Sequence, residues 1–291
     1  MKYFLTYCCI ALLTIRHTAQ IQDGEQELPD LIQKSGFIEN KGQIKDQYGN
    51  PNAAALFILP TSGNSVILKS NGFSYDTYTD EFEANLNPDE DLILPGSQVP
   101  ASFTRHYHRV DILFEGCNGE IEIEKYLPLA GELNFYTGGT GEYGVTNVKT
   151  YSRILYKNVY PNIDVEFISQ DVPEVHFEYN FILYPGADIN DISLQYAGME
   201  NFKMQDGELI LTLSHGQLKE KIPASFSHAD NGKIDIAYRV KSVQTSTGIF
   251  GNIQDEFQNS LHVENRCIAS VGFTGLDGPV STGITIDPTP L

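Results

Sequence analysis

Apolar and polar side chains alternate along this chain with a period of two, and the clearest case is residues 151–198, which read as strand, turn, strand, turn, strand. Phe177, Tyr179, Phe181 and Leu183 alternate with His176, Glu178, Asn180 and Ile182, as in a sheet with one apolar face. Tyr184-Pro185-Gly186-Ala187-Asp188 ends the run, because proline fixes φ and glycine tolerates positive φ. Residues 163–168 carry the same pattern and are expected to pair with 175–183 as a hairpin. That pairing puts Ile163, Val165 and Phe167 on the core face beside Phe177, Tyr179 and Phe181.

Further strands are expected at 55–59, 65–69, 73–78, 105–115, 120–127, 133–136, 202–205, 208–213, 224–229, 233–243, 267–273 and 284–287. Asn71-Gly72, Asp206-Gly207 and Asn231-Gly232 mark hairpin reversals between them. Residues 80–100 are acidic and hold Pro88, Pro95 and Gly96, which predicts a long exposed loop. No amphipathic helix and no repeat of fixed period stands out, so a solenoid or propeller is not expected. The predicted fold is all-β, an antiparallel β-sandwich-like module of two packed subdomains divided near residues 150–165.

Composition supports this and adds a compartment. Sixteen Tyr, sixteen Phe and 25 Gly against three Met and no Trp favour strands and turns, and 41% apolar residues are enough for a core. Lys2 followed by the apolar run 3–15 and by His17-Thr18-Ala19 reads as a signal peptide over residues 1–19, too short to span a bilayer. Cys8 and Cys9 fall inside it. Residues 20–35 read as a flexible acidic lead-in, and residues 36–291 as the β module, with no transmembrane segment after cleavage. The protein is therefore expected to be exported, to the periplasm, the cell surface or the medium.

The formal net charge of −19 repels phosphate backbones and anionic lipid, so nucleic acid is not an expected partner. In an oxidising compartment Cys117 and Cys267 form an even pair. Bridged, they would close a loop of about 150 residues, for about 5 kcal/mol of stabilisation. Two unrelated buried thiols are the other reading.

Candidate chemistry is sparse. Gly139-Thr140-Gly141-Glu142-Tyr143-Gly144 matches the spacing of a dinucleotide loop, but β-branched residues follow where a helix is required, so a glycine-rich turn is expected. Asp164, Glu166, His176 and Glu178 are expected on the outer face of the 163–183 hairpin. They could bind a divalent cation such as Ca²⁺ or do acid–base work, or they could be a solvated polar face. His106 and His108 share a strand face without a third ligand set by spacing. Asp188, Asn190 and Asp191 fit an Asx turn better than a calcium loop. No nucleophile elbow, zinc-protease, dithiol or P-loop motif is present, and no cofactor is implied.

Three stretches carry a family resemblance: residues 36–43 (GFIENKGQ), residues 158–164 (NVYPNID) with 181–188 (FILYPGAD), and residues 286–289 (IDPT). Together they resemble the domain of unknown function at the N-terminus of large secreted Bacteroidota proteins. That domain usually precedes SBBP β-propeller repeats and a gliding-motility-associated or type IX sorting C-terminal domain. The resemblance runs from Gly36 to the end and implies an extracellular or cell-surface all-β module, with no catalytic residues to carry over. No propeller or sorting domain follows the closing motif in this sequence, which leaves a stand-alone module, a periplasmic protein and a truncated frame open.

The expected function is a non-enzymatic envelope module that meets a protein or glycan, or gives structural support. The alternatives are a carbohydrate-active or sugar-binding domain with an acidic and aromatic sheet face, and a calcium-stabilised surface domain.

Overall fold

The structure is a computed structural model that describes residues 36–45, 50–61, 63–83, 102–136, 140–172, 175–249 and 263–290. The expected signal peptide (residues 1–19), the expected lead-in (20–35) and residues 84–101 of the expected acidic loop lie outside the described residues.

The described chain is all-β. It opens with β1 (Phe37–Glu39), β2 (Phe57–Pro60), β3 (Asn64–Lys69), β4 (Gly72–Glu83) and β5 (Ser102–Phe114). Next come β6 (Glu122–Pro128), β7 (Leu133–Phe135), β8 (Val145–Val148), β9 (Thr150–Tyr160), β10 (Ile163–Val172) and β11 (Val175–Leu183). After a single 3-10 turn at Ile189–Asp191 follow β12 (Leu194–Met199), β13 (Asn201–Gln205), β14 (Glu208–Leu213) and β15 (Gly216–Ser227). The last are β16 (Lys233–Ile234), β17 (Ala237–Ile249), β18 (Val263–Thr274) and β19 (Ile284–Pro290).

Among the described residues every strand pairing is antiparallel, and apart from one ribbon the strands link into a single barrel-like sheet with two facing walls. One runs β17-β18-β12-β5-β4-β3-β2. The other runs β6-β9-β10-β11-β19-β15-β14-β13. β1 pairs with both β2 and the start of β9 and so joins the walls along one edge. At the other side the chain passes directly from β12 to β13, carrying one wall into the other. β7 and β8 form a separate two-stranded ribbon.

The two inner faces meet through aromatic rings. Phe73 on β4 lies 5.5 Å from Phe167 on β10 and 4.9 Å from Tyr179 on β11, and Phe181 lies 5.4 Å from Phe273 on β18. One cluster of buried residues runs from Phe37 to Ile286. Residues 150–165 lie in β9 and the start of β10, which pair with β1 and β6 before them and β11 after.

Local sequence explains the turns. Asp206 (φ 53°) and Gly207 (φ 80°) are both left-handed between the paired Gln205 and Glu208, as a tight hairpin requires. Pro223, which has no N–H, falls in the irregularity of β15 between Lys221 and Ala224. Residues 233–243, expected as one strand, are split at Asp235-Ile236. β16 pairs with β15 while β17 pairs with β18, so the chain changes partner there.

Candidate functional site

The expected hairpin forms, and its outer face holds the carboxylates apart. Asp164 lies opposite Ile182, Glu166 opposite Asn180 and Glu178 opposite Ile168. Each is engaged by a different partner. Asp164 Oδ1 accepts the Asn158 amide at 2.6 Å and Oδ2 accepts the Tyr184 hydroxyl at 3.0 Å. Glu166 forms an ion pair with Arg153, and Glu178 accepts from Gln170 Nε2 at 2.7 Å. The side chain of His176 lies outside the described residues. Asp164 therefore serves the β9–β10 turn, which the Tyr184 amide also ties down through the Asn162 carbonyl at 2.9 Å. Among the described residues no three His, Cys, Asp or Glu side chains converge as metal ligands would.

The remaining motifs resolve one by one. Thr140–Gly144 leads into β8, a strand and not a helix. Asp188 caps the 3-10 turn, its Oδ1 accepting from the Asn190 amide at 2.9 Å, which is an Asx turn. Cys117 and Cys267 are both free, and burial pushes both thiols up, which makes them poor nucleophiles. The structure does not bring them together. Cys117 follows Phe114, which pairs with Leu194 at one end of β12, whereas Cys267 pairs with Met199 at the other end. At about 3.4 Å per residue that is about 17 Å of strand, against the ~7 Å limit for a bridge.

The residues of the opening motif form a closed hydrogen-bonded turn. Asn40 Nδ2 donates to the Asn52 and Ala55 carbonyls at 2.8 and 2.7 Å, and its Oδ1 accepts the Gly42 and Ile44 amides at 2.8 and 3.3 Å. Gln43 bridges the Lys41 amide and the Glu39 carbonyl, while Gly42 takes φ 106°. Burial pushes the Glu39 carboxyl up, but the Lys149 amide with Lys41 and Lys125 outweighs it, and the net direction is down. The motif thus fastens β1 to its neighbours.

A buried polar cluster went unpredicted. Glu220 on β15 is fully buried between the walls. Its carboxylate accepts hydroxyls from Tyr75 at 2.9 Å, Tyr179 at 3.0 Å and Tyr196 at 2.6 Å, drawn from both walls. Burial pushes the carboxyl up, and the three hydroxyls counter this only in part. The signal for it was visible, since Leu218, Glu220 and Ile222 share one parity in β15 and a charge there breaks an apolar stripe. The side chain has no exposed surface, so no substrate touches it in this state, and its direct effect is to pin β15 to β4, β11 and β12.

A comparison with curated proteins finds no match to this chain. A family described as a domain of unknown function, DUF7948, matches residues 37–259, beginning at the first residue of β1. That match covers well over half of the 291 residues, and the chain belongs to this family.

Proposed function

We propose that the chain is an exported, cell-envelope β module that acts by holding a protein or glycan partner and not by catalysis. The observation that carries this reading is the exposure of large apolar side chains on the stretch from the end of β6 to the turn before β8. Leu127 is 63% exposed, Tyr136 72% and Tyr143 84%. Leu127 also takes φ 51°, a left-handed conformation that costs a branched residue about 1–2 kcal/mol. Strain and exposure combined are unfavourable for the free fold and are compensated when a partner covers the side chain. Tyrosine suits both protein and sugar partners, since it offers a large rigid face and a hydroxyl.

The family resemblance supports the address: in secreted Bacteroidota proteins of this layout the module would stand ahead of SBBP propeller repeats or a sorting domain, facing the medium. The N-terminal signal-like segment supports export. The test is a glycan array together with a hydrolase panel, run on the wild type and on a Tyr136→Ala, Tyr143→Ala double variant. Binding without turnover, lost in the double variant, is the expected result. Turnover abolished by Glu178→Gln would overturn the reading in favour of a carbohydrate-active enzyme.

A further inference from the structure

The buried positions Phe114, Ile112 and Val110 of β5 share one parity, and His108 and His106 continue that line past the edge of the core. There the two-residue turn of the β14–β15 hairpin, Ser214-His215, meets them. His108 Nε2 lies 2.9 Å from the Gly198 carbonyl at the end of β12, and Nδ1 lies 3.1 Å from the Ser214 amide. A carbonyl only accepts and an amide only donates. Both partners are thus satisfied by one species alone, the neutral ring with its proton on Nε2.

The remaining neighbours do not favour a charged ring. His215 lies with its ring 6.1 Å from that of His108, and Ser214 Oγ lies 3.0 Å from His108 Nδ1 and 3.1 Å from His215 Nδ1. Burial, and then the charges of His108 and His106, hold His215 below the usual histidine range. Thr77 faces His108 from β4, Glu200 beyond Gly198 is exposed, and the charged neighbours Asp76 and Arg109 are paired with each other at 2.5 Å. When His108 gains a proton, the Ser214 hydroxyl can accept from Nδ1–H, but the Ser214 amide loses the ring as its acceptor and is left to water. Gly198 also has no slack. A Cβ there would sit 2.5 Å from the Arg109 carbonyl, and its φ is 105°.

We propose that His108 is an acid-sensitive latch, which fastens the tip of the β14–β15 hairpin to β5 and β12 when neutral and releases it when protonated. The hairpin carries Leu211, Leu213 and Leu218 into the core, so release of its tip uncovers apolar surface at the rim of the sandwich. Its root stays tied through Glu220 and the three tyrosines, so the tip moves without global unfolding.

The experiment is hydrogen exchange of the full chain at pH 7.5 and pH 5.0, corrected for intrinsic rates. The Ser214 amide, which His108 itself accepts, is the reporter. Its protection is expected to fall about tenfold or more at pH 5.0, while amides of Phe167 and Tyr179 stay protected. In His108→Gln, whose side chain can accept and donate but does not titrate, Ser214 protection is expected to be equal at the two pH values; in His215→Gln the loss is expected to persist. Unchanged protection in the wild type, or an equal loss in His108→Gln, would overturn the latch. Should His108→Gln not fold, ring ¹⁵N shifts of the wild type at pH 7.5 decide independently: a proton on Nδ1 refutes the proposal.

Discussion

Replacing Glu220 by Gln keeps the shape of the side chain and removes its charge, which isolates the carboxylate that, among the described residues, is fully buried in the core. In an unfolded chain this carboxyl titrates near pH 4.3, whereas in the fold burial pushes it up. A group shifted in that direction contributes its full stability below the unfolded value and loses it as pH rises through the folded one. The slope is at most about 1.4 kcal/mol per pH unit. Glu39, Asp111 and Glu115 are shifted down, so their contribution is lost in the opposite direction, as pH falls below about 4.3 for the glutamates and about 3.9 for the aspartate. The windows therefore separate.

Urea midpoints measured from pH 4.5 to pH 8 test this. The stability of Glu220→Gln relative to the wild type is expected to improve steadily as pH rises, because the variant has no proton to lose. Parallel curves would refute the reasoning. A companion variant checks the hydrogen bonds: Tyr196→Phe removes the 2.6 Å donor. A hydrogen bond to a charged group contributes about 1.5–3 kcal/mol, against about 0.5–1.5 kcal/mol for a neutral one. Tyr196→Phe is therefore expected to lower stability more at pH 8 than at pH 4.5, with about 2–4 °C of melting temperature per kcal/mol.

Other outcomes follow from particular contacts. Phe73→Ala removes the ring that meets Phe167, Phe177 and Tyr179 across the sandwich, and is expected to cost about 3–5 kcal/mol in urea unfolding; a loss under 1 kcal/mol would contradict the packing. Asn40→Ala leaves four turn partners unmatched and is expected to cost about 2–4 kcal/mol, with the greatest loss of amide protection at Gly42 and Ile44. Denatured without reductant and alkylated, Cys117 and Cys267 are both expected to be modified in peptide mass maps; a linked peptide would show a bridge that this register excludes.

The period-two pattern made the β10–β11 hairpin legible because a strand has only two faces, and assigning Phe177 inward assigns Glu178 outward. Residues 206–207 were legible for a similar reason, since few residue pairs accept two successive left-handed conformations. What pattern does not carry is which strands from distant parts of the chain face one another. Glu220 reads as a lone charge in an apolar stripe until β4, β11 and β12 bring three hydroxyls to it. Likewise His108 reads as half of a histidine pair until the β14–β15 turn arrives from over a hundred residues away. Short-range alternation sets faces, whereas long-range pairing sets chemistry.

The stretches that make this chain recognisable follow the same division. Asn40 closes the turn after β1, Asp164 closes the β9–β10 turn with Asn158 and Tyr184, and Ile286 pairs with Phe181 to seat β19 beside β11. Asn40 and Asp164 hold turn backbone outside the strand ladders, and Ile286 sits in β19 between β11 and β15, so these positions serve the fold itself. A surface that chooses a partner needs side chains free of such duties. Leu127, Tyr136 and Tyr143 meet that condition, being exposed and outside every one of the recognisable stretches. On the proposed reading, replacing Leu127, Tyr136 and Tyr143 is expected to abolish partner binding while leaving the fold and its melting temperature as they are, and a loss of stability in place of binding would show that these side chains serve the fold.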